Sequence, residues 1–263
     1  MNSPILNVTG LTMDFGGIRA LDALDLDVNS GEIVALIGPN GAGKTTFFNC
    51  ITGIYEPTAG DVFLNSPSSS GKVSLKGLKP NKVTEKGLAR TFQNIRLFNK
   101  MTVLENVMIG RHCRTKAFVF GAVLRTSATR IEEKEIVDTS YAILEKVGLD
   151  QYVNELAENL PYGAQRRLEI ARALATDPLL LLLDEPAAGM NPQETIDLEE
   201  LIKEISSEGQ SILLIEHDMK LVMSLSDRIF VMDYGKKIAQ GTPAEIRENP
   251  AVIKAYLGEE VDA

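Results

Sequence analysis

The stretch Gly38-Pro39-Asn40-Gly41-Ala42-Gly43-Lys44-Thr45-Thr46 follows the apolar run Ile33–Ile37 and precedes the pair Phe47-Phe48. It has the spacing GxxxxGK[ST], set between a strand pattern and the start of a helix pattern. The glycines let backbone N–H groups converge on an anion. The helix N-terminus behind them adds about half a positive charge. Lys44 is long enough to reach β- and γ-phosphates, and the Thr45 hydroxyl is a hard oxygen ligand suited to Mg²⁺. A tight turn with an incidental lysine explains the glycines but not the strand–loop–helix context. The stretch therefore implies a nucleoside triphosphate site over Gly38–Thr46.

Working outward, the chain has 263 residues, 44% of them hydrophobic, enough for one sizeable core or a core with a subdomain. The net charge of -9 argues against broad nucleic-acid binding, which needs a basic footprint. Leu179–Leu183 is the longest aliphatic run, far short of the roughly 20 residues that span a bilayer. The N-terminal MNSPILNVTG has neither a basic nor a long apolar segment, so no secretion signal is expected. Cys50 and Cys113 form no CxxC pair and read as core residues of a reducing compartment. With no Trp, any base-stacking aromatic must be Phe or Tyr.

Strand patterns fall at Ile5–Val8, Ile33–Ile37, Val62–Leu64, Leu179–Leu183, Ser211–Ile215, Arg228–Met232 and Lys237–Ala239. Helical spacing appears at Lys44–Thr52, Arg130–Val147, Gly163–Thr176, Pro192–Ser206 and Met219–Ser226. The alternation predicts an α/β fold with a mostly parallel sheet covered on both faces. Residues 1–30 and 60–65 read instead as antiparallel edge strands. Asn65–Lys82, rich in Ser, Gly, Pro and Lys, reads as a surface loop with no assigned role. Between about Val103 and Val153 strand signals vanish, which predicts a helical insertion. There is no internal repeat and no heptad run.

The run ending Leu183-Asp184-Glu185 is an apolar strand that finishes in carboxylates. Asp184 then lies at the C-terminal sheet edge, where ligands sit in open α/β folds. It is suited to hold Mg²⁺ through water. Glu185, one position on, is suited to act as general base toward the attacking water. A solvated acidic strand end is the plainer reading, and Lys44 in the same chain displaces it. Gln93, in Arg90-Thr91-Phe92-Gln93, follows a strand-like segment and is suited to ligate Mg²⁺ or position water. Alone it is equally an ordinary loop residue. His217, in Ile215-Glu216-His217-Asp218, ends another strand and is suited to donate to a γ-phosphate. His112, beside Arg111 and Arg114, reads as a surface residue.

In this order and spacing, GPNGAGKTT, Gln93, LLLLLDEP and His217 resemble the nucleotide-binding subunit of an ATP-binding cassette (ABC) transporter, over about residues 4–258. The resemblance implies a P-loop NTPase with a RecA-like core, an antiparallel β-subdomain and an inserted helical subdomain. It makes residues 1–263 a single nucleotide-binding domain, with the helical subdomain at about 94–175. It implies ATP and Mg²⁺ as ligands. Phe15 matches the aromatic that stacks on adenine. Ala188-Gly189-Met190-Asn191 matches the D-loop, with Asn where many members carry Asp. Leu160-Pro161-Tyr162-Gly163-Ala164-Gln165 matches the signature loop. It departs from LSGGQ, because Pro161 stands for the Ser whose hydroxyl meets the partner's ATP. Tyr162 and Gly163 can still offer backbone amides to it.

The signature, RRLEIARAL, DEPAAGMNP and the segment Arg90–Val107 resemble the ATPases of branched-chain amino acid importers. That implies a head-to-tail pair of ATPase subunits, identical or different, with each ATP between one subunit's Gly38–Thr46 and the other's signature. It implies transmembrane permease subunits, an extracytoplasmic substrate-binding protein acting indirectly, and a peripheral place on the cytoplasmic face of the inner membrane. No nucleic-acid partner is expected. Ile95, Arg96, Leu97 and Phe98 suit a groove for a permease helix, or equally ordinary core and surface. The alternatives are another ABC system such as lipopolysaccharide export, a soluble ABC-type clamp, and a nucleotide switch without turnover. Lipopolysaccharide export ATPases usually keep Ser-Gly-Gly in the signature. Clamps usually carry coiled coils or two cassettes. Glu185 and His217 argue against the switch.

Overall fold

A computed structural model describes residues 4–65, 71–114 and 127–257. Two sheets organise it. β1 (Leu6–Phe15) and β2 (Ile18–Val28) form an antiparallel hairpin, and β4 (Ala59–Asn65) and β5 (Lys72–Ser74) extend it in the order β2-β1-β4-β5. The second sheet runs β10-β9-β3-β8-β7-β6, with β3 (Ile33–Ile37), β6 (Leu88–Arg90), β7 (Leu180–Asp184), β8 (Ser211–Ile215), β9 (Arg228–Asp233) and β10 (Lys236–Gly241). Five of its strands pair parallel in the register Leu36 to Ile215 and Asp184 to Ile215. β10 closes one edge antiparallel.

β3, β7 and β8 are buried at every residue, which is why they read as unbroken apolar runs. Alternate residues serve two cores. Val34, Leu36, Leu180, Leu182, Leu213 and Ile215 face the antiparallel sheet and α1 (Lys44–Ile51), whose Phe47 and Phe48 are fully buried. Cys50 on the same helix is buried, and burial pushes its thiol up to about 11, so it is an inert core residue. Ile33, Ala35, Ile37, Leu181, Leu183, Ile212 and Leu214 face the other way. There they meet α5 (Tyr162–Leu174), α6 (Pro192–Ser207) and α7 (Met219–Leu225).

Between β6 and β7 the regular elements among the described residues are all helical, apart from one isolated bridge, Thr102 to Leu156. α3 (Val103–Arg111) opens with a Thr102–Glu105 capping box, and α4 (Ser127–Lys146) precedes α5. His112 is exposed in a short 3₁₀ turn. Two short helices, α8 (Pro243–Arg247) and α9 (Pro250–Leu257), end the described chain. No helix among the described residues is long and apolar enough to cross a membrane.

One expectation needs correction. Asn65–Lys82 is not loop throughout: β5 lies within it, and α2 (Pro80–Glu85) begins there with Pro80 in its first turn. Residues 66–70 of that segment, 115–126 of the predicted insertion and Gly258 of the matched C-terminus lie outside the described residues. The apolar run at Leu179–Leu183 forms a strand one residue later, at Leu180–Asp184, so Asp184 is the last residue of β7 itself.

Candidate active site

The loop after β3 turns sharply into α1. Gly38 lies so close to β9 that a Cβ there would sit 2.1 Å from the Met232 carbonyl oxygen. Gly43, at φ 103°, caps α1 without a side chain, and its Cβ would sit 2.7 Å from the Ala20 oxygen. The helix's first amides are thereby left to a ligand. Lys44 is buried, and its ammonium donates to the carbonyls of Gly38 (2.7 Å) and Pro39 (3.0 Å). Burial lowers its pKa, while the charge of Glu185 works the other way. Thr45 is exposed and Thr46 half-buried. Asn40 and Gly41 are exposed, and Ala42 is buried. In α9, burial holds the Tyr256 phenol above the usual range, while the nearby Gly38 backbone works the other way.

Four neighbouring parallel strands deliver the remaining groups to one edge, in the order β3, β8, β7, β6. Glu185, just past β7, sits at φ 49°, a left-handed conformation that ordinary side chains rarely adopt. Its Oε2 accepts from Gln93 Nε2 at 2.7 Å, and its Oε1 lies 2.8 Å from His217 Nε2. The three polar residues picked from separate motifs thus meet side chain to side chain. Asp184 is buried, and one of its oxygens accepts from Arg90 Nη2 at 2.7 Å. Arg90 also donates to Asn49 on α1, and its guanidinium lies against the rings of Phe48 and Phe92. Phe15, at the end of β1, is 42% exposed and meets Tyr55 edge-to-face at 5.3 Å.

Several residues that shape the site look ordinary in the sequence. Arg90 reads as a surface cation but is sunk beside Asp184. Glu216 is buried and accepts from the amides of Ala187 (2.8 Å) and His217 (3.0 Å), joining the loops after β7 and β8. Burial pushes its carboxyl up, and these amides with that of Asp218 pull it down. Arg166 is the largest fully buried side chain among the described residues. It donates to the Phe92 and Gln93 carbonyls (2.7 and 2.8 Å) and to Glu169 (3.0 Å). Glu169 accepts in turn from the amides of Phe92 and Arg96. The only signal for this pair is its i, i+3 spacing, which any surface helix also shows.

The signature residues open α5, with Pro161 as its N-cap and no side-chain capping bond. Tyr162 is exposed, while Gly163 is buried against α6, where a Cβ would sit 2.7 Å from Glu194 Oε1. Asn191 caps α6 by accepting from Gln193 and Glu194 amides, which explains a short polar residue at this D-loop position. The groove beside the phosphate loop is lined by Pro39–Ala42, Asp233, Tyr234 and α9 residues, with no signature residue. Of the predicted docking segment, Leu97 packs into the core, while Arg96 and Phe98 are exposed.

An ABC transporter family model matches residues 21–188, and a model of the branched-chain amino acid ATP-binding cassette transporter family matches residues 236–262. The high-affinity branched-chain amino acid transport ATP-binding protein LivG of Salmonella typhimurium is 51% identical, covering 98% of this chain and 100% of that protein. BraF of Pseudomonas aeruginosa, of the same description, is 50% identical over the same shares. A crystal structure of the ADP conformation of an ATP-binding cassette of an ABC transporter superposes with a TM-score of 0.83. It is 31% identical, covering 98% of this chain and 100% of that one.

Proposed function

The chain belongs to the ABC transporter ATPase family, and from that premise we propose that it is the ATP-hydrolysing subunit of an importer of branched-chain amino acids. It binds nucleotide and is an ATPase. The observation that carries the chemistry is Glu185, held between Gln93 and His217 on the strand edge that also presents Lys44.

The reading assigns each group a task. The amides of Gly38–Thr46 and the Lys44 ammonium take the β- and γ-phosphates, and Phe15 stacks on adenine. A phosphate oxygen replaces the loop carbonyls as the partner of Lys44. Glu185 accepts the proton of the water that attacks the γ-phosphate. His217 shifts its Nε2 from Glu185 to the γ-phosphate, where it stabilises developing charge with Lys44. For Mg²⁺ the Thr45 hydroxyl, the Gln93 side-chain oxygen and, through water, the Asp184 oxygen not taken by Arg90 would supply an all-oxygen donor set, which fits that ion. Bound there, it would offset negative charge on the phosphates. The other half of the site is supplied by a second ATPase subunit, identical or different, stacked head to tail. Support comes from the start of α5, which no side chain caps and where Tyr162 is exposed, and from the lack of signature residues at this chain's own phosphate loop. Transmembrane permease subunits dock near the exposed Arg96 and Phe98. A substrate-binding protein acts on them from outside, and this chain sits peripherally on the cytoplasmic face.

Steady-state ATP hydrolysis by the purified chain tests the assignment. Glu185→Gln keeps both hydrogen-bonding partners and is expected to lower the rate about a hundredfold or more while nucleotide still binds. Hydrolysis by Glu185→Gln at the native rate would remove Glu185 as the base.

A further inference from the structure

We propose that the Tyr162 hydroxyl is a positioning group for Glu185. It closes a ring of hydrogen bonds that ties the start of α5 to the loops after β6 and β7. The ring can be followed atom by atom. Arg166 Nη2 donates to the Gln93 carbonyl at 2.8 Å and, at the long end of hydrogen-bonding distance, to Tyr162 Oη at 3.4 Å. Tyr162 Oη donates to the Ala188 carbonyl at 2.8 Å. The Ala188 amide donates to the Glu185 carbonyl at 3.2 Å. The Gln93 side chain donates to the Glu185 carboxylate at 2.7 Å, which returns the ring to its start.

The packing favours this placement of the tyrosine. Gly189, at φ 78°, lies under the phenol, and a Cβ there would come within 3.2 Å of Tyr162 Oη. Glu194 packs on Gly163 from the other side. The start of α5 is therefore wedged against the D-loop within one chain. A signature with glycine in place of Tyr162 has no side chain to make this link. A cycle of donors and acceptors resists deformation more than its separate bonds do, because moving one member strains its neighbours. Glu185 in its left-handed conformation needs such support. The consequence rests on the proposed function. The end of α5 that faces the partner's ATP is the end that carries Tyr162. A shift there reaches this chain's own Glu185 through Ala188, so the two ATP sites of a dimer are mechanically linked.

Tyr162→Phe removes the hydroxyl and keeps the ring. Two measurements test it. Hydrogen exchange of the nucleotide-free protein is expected to quicken about fivefold or more at the Ala187–Gly189 amides, the scale of one lost hydrogen bond. In steady-state hydrolysis, kcat is expected to fall about fivefold with the ATP KM within about twofold. Combined with Gln93→Ala, it should cost less than the product of the two single losses, since both break one ring. Unchanged exchange at Ala187–Gly189 overturns the ring whatever the turnover. Unchanged kcat, or losses that simply multiply, overturn its effect on Glu185. A native chain that hydrolyses no ATP would instead defeat the functional assignment, and the exchange result would still stand.

Discussion

Lys44 is charged at a cost. Its ammonium is buried, and the carbonyls of Gly38 and Pro39 only partly replace water. Its pKa therefore lies below the ordinary 10.5, with burial as the main cause. For a base with a depressed folded pKa, the unfolded chain holds more protons between the folded value and 10.5. Stability is then full above 10.5 and is lost as pH falls through the folded value. A bound triphosphate reverses the balance by favouring the charged ammonium. Nucleotide affinity should be highest below the folded pKa and weaken as pH rises through it. A nucleotide Kd measured across that range checks this, and Lys44→Arg, which stays charged, should flatten whatever binding it retains. Glu185 is the other informative single residue, since its φ of 49° and two side-chain partners hold its carboxylate in one place.

At the scale of elements, apolar strands were the most legible feature. β3, β7 and β8 are covered on both faces, so nothing but apolar residues suits them until the carboxylates of Asp184 and Glu185 mark the ligand edge. The residues that lock those elements together were hidden. Arg90, Arg166, Glu169 and Glu216 are charged types whose letters say surface, and only tertiary packing buries them. β5 and α2 leave little trace in the sequence, because a three-residue edge strand and a six-residue helix need little apolar patterning when β4 and a first-turn proline hold them. The buried pair Arg166–Glu169 makes the strongest stability claim. It fixes the segment from Phe92 to Arg96 on α5, and burial keeps the Glu169 carboxyl raised even beside Arg166. Arg166→Met leaves Glu169 without its hydrogen-bonded cation, only Arg172 remaining nearby, and should cost about 3 kcal/mol in urea unfolding. Adding Glu169→Met should recover much of that loss. A single variant as stable as the native chain would show that the pair is not structural.

On the scale of the whole molecule, the proposed function makes the phosphate loop one half of a composite site. The parallel edge gathers Lys44, Gln93, Glu185 and His217, whereas the signature sits on another surface of the same chain. That division was readable in outline, because Gly38–Thr46 and Leu160–Gln165 are separate motifs. The cis contact of Tyr162 with Ala188 was not, since no spacing rule brings them together. In the proposed function the work extracted from ATP leaves through contacts with membrane subunits, so the assembled transporter is the most direct test. The chain is reconstituted with its permease subunits and partner ATPase in vesicles, with ATP on its side and the substrate-binding protein on the other. ATP-dependent leucine accumulation is expected, and it is lost when this chain carries Glu185→Gln. ATP hydrolysis with no leucine movement, or unchanged accumulation with Glu185→Gln, would contradict the proposed function.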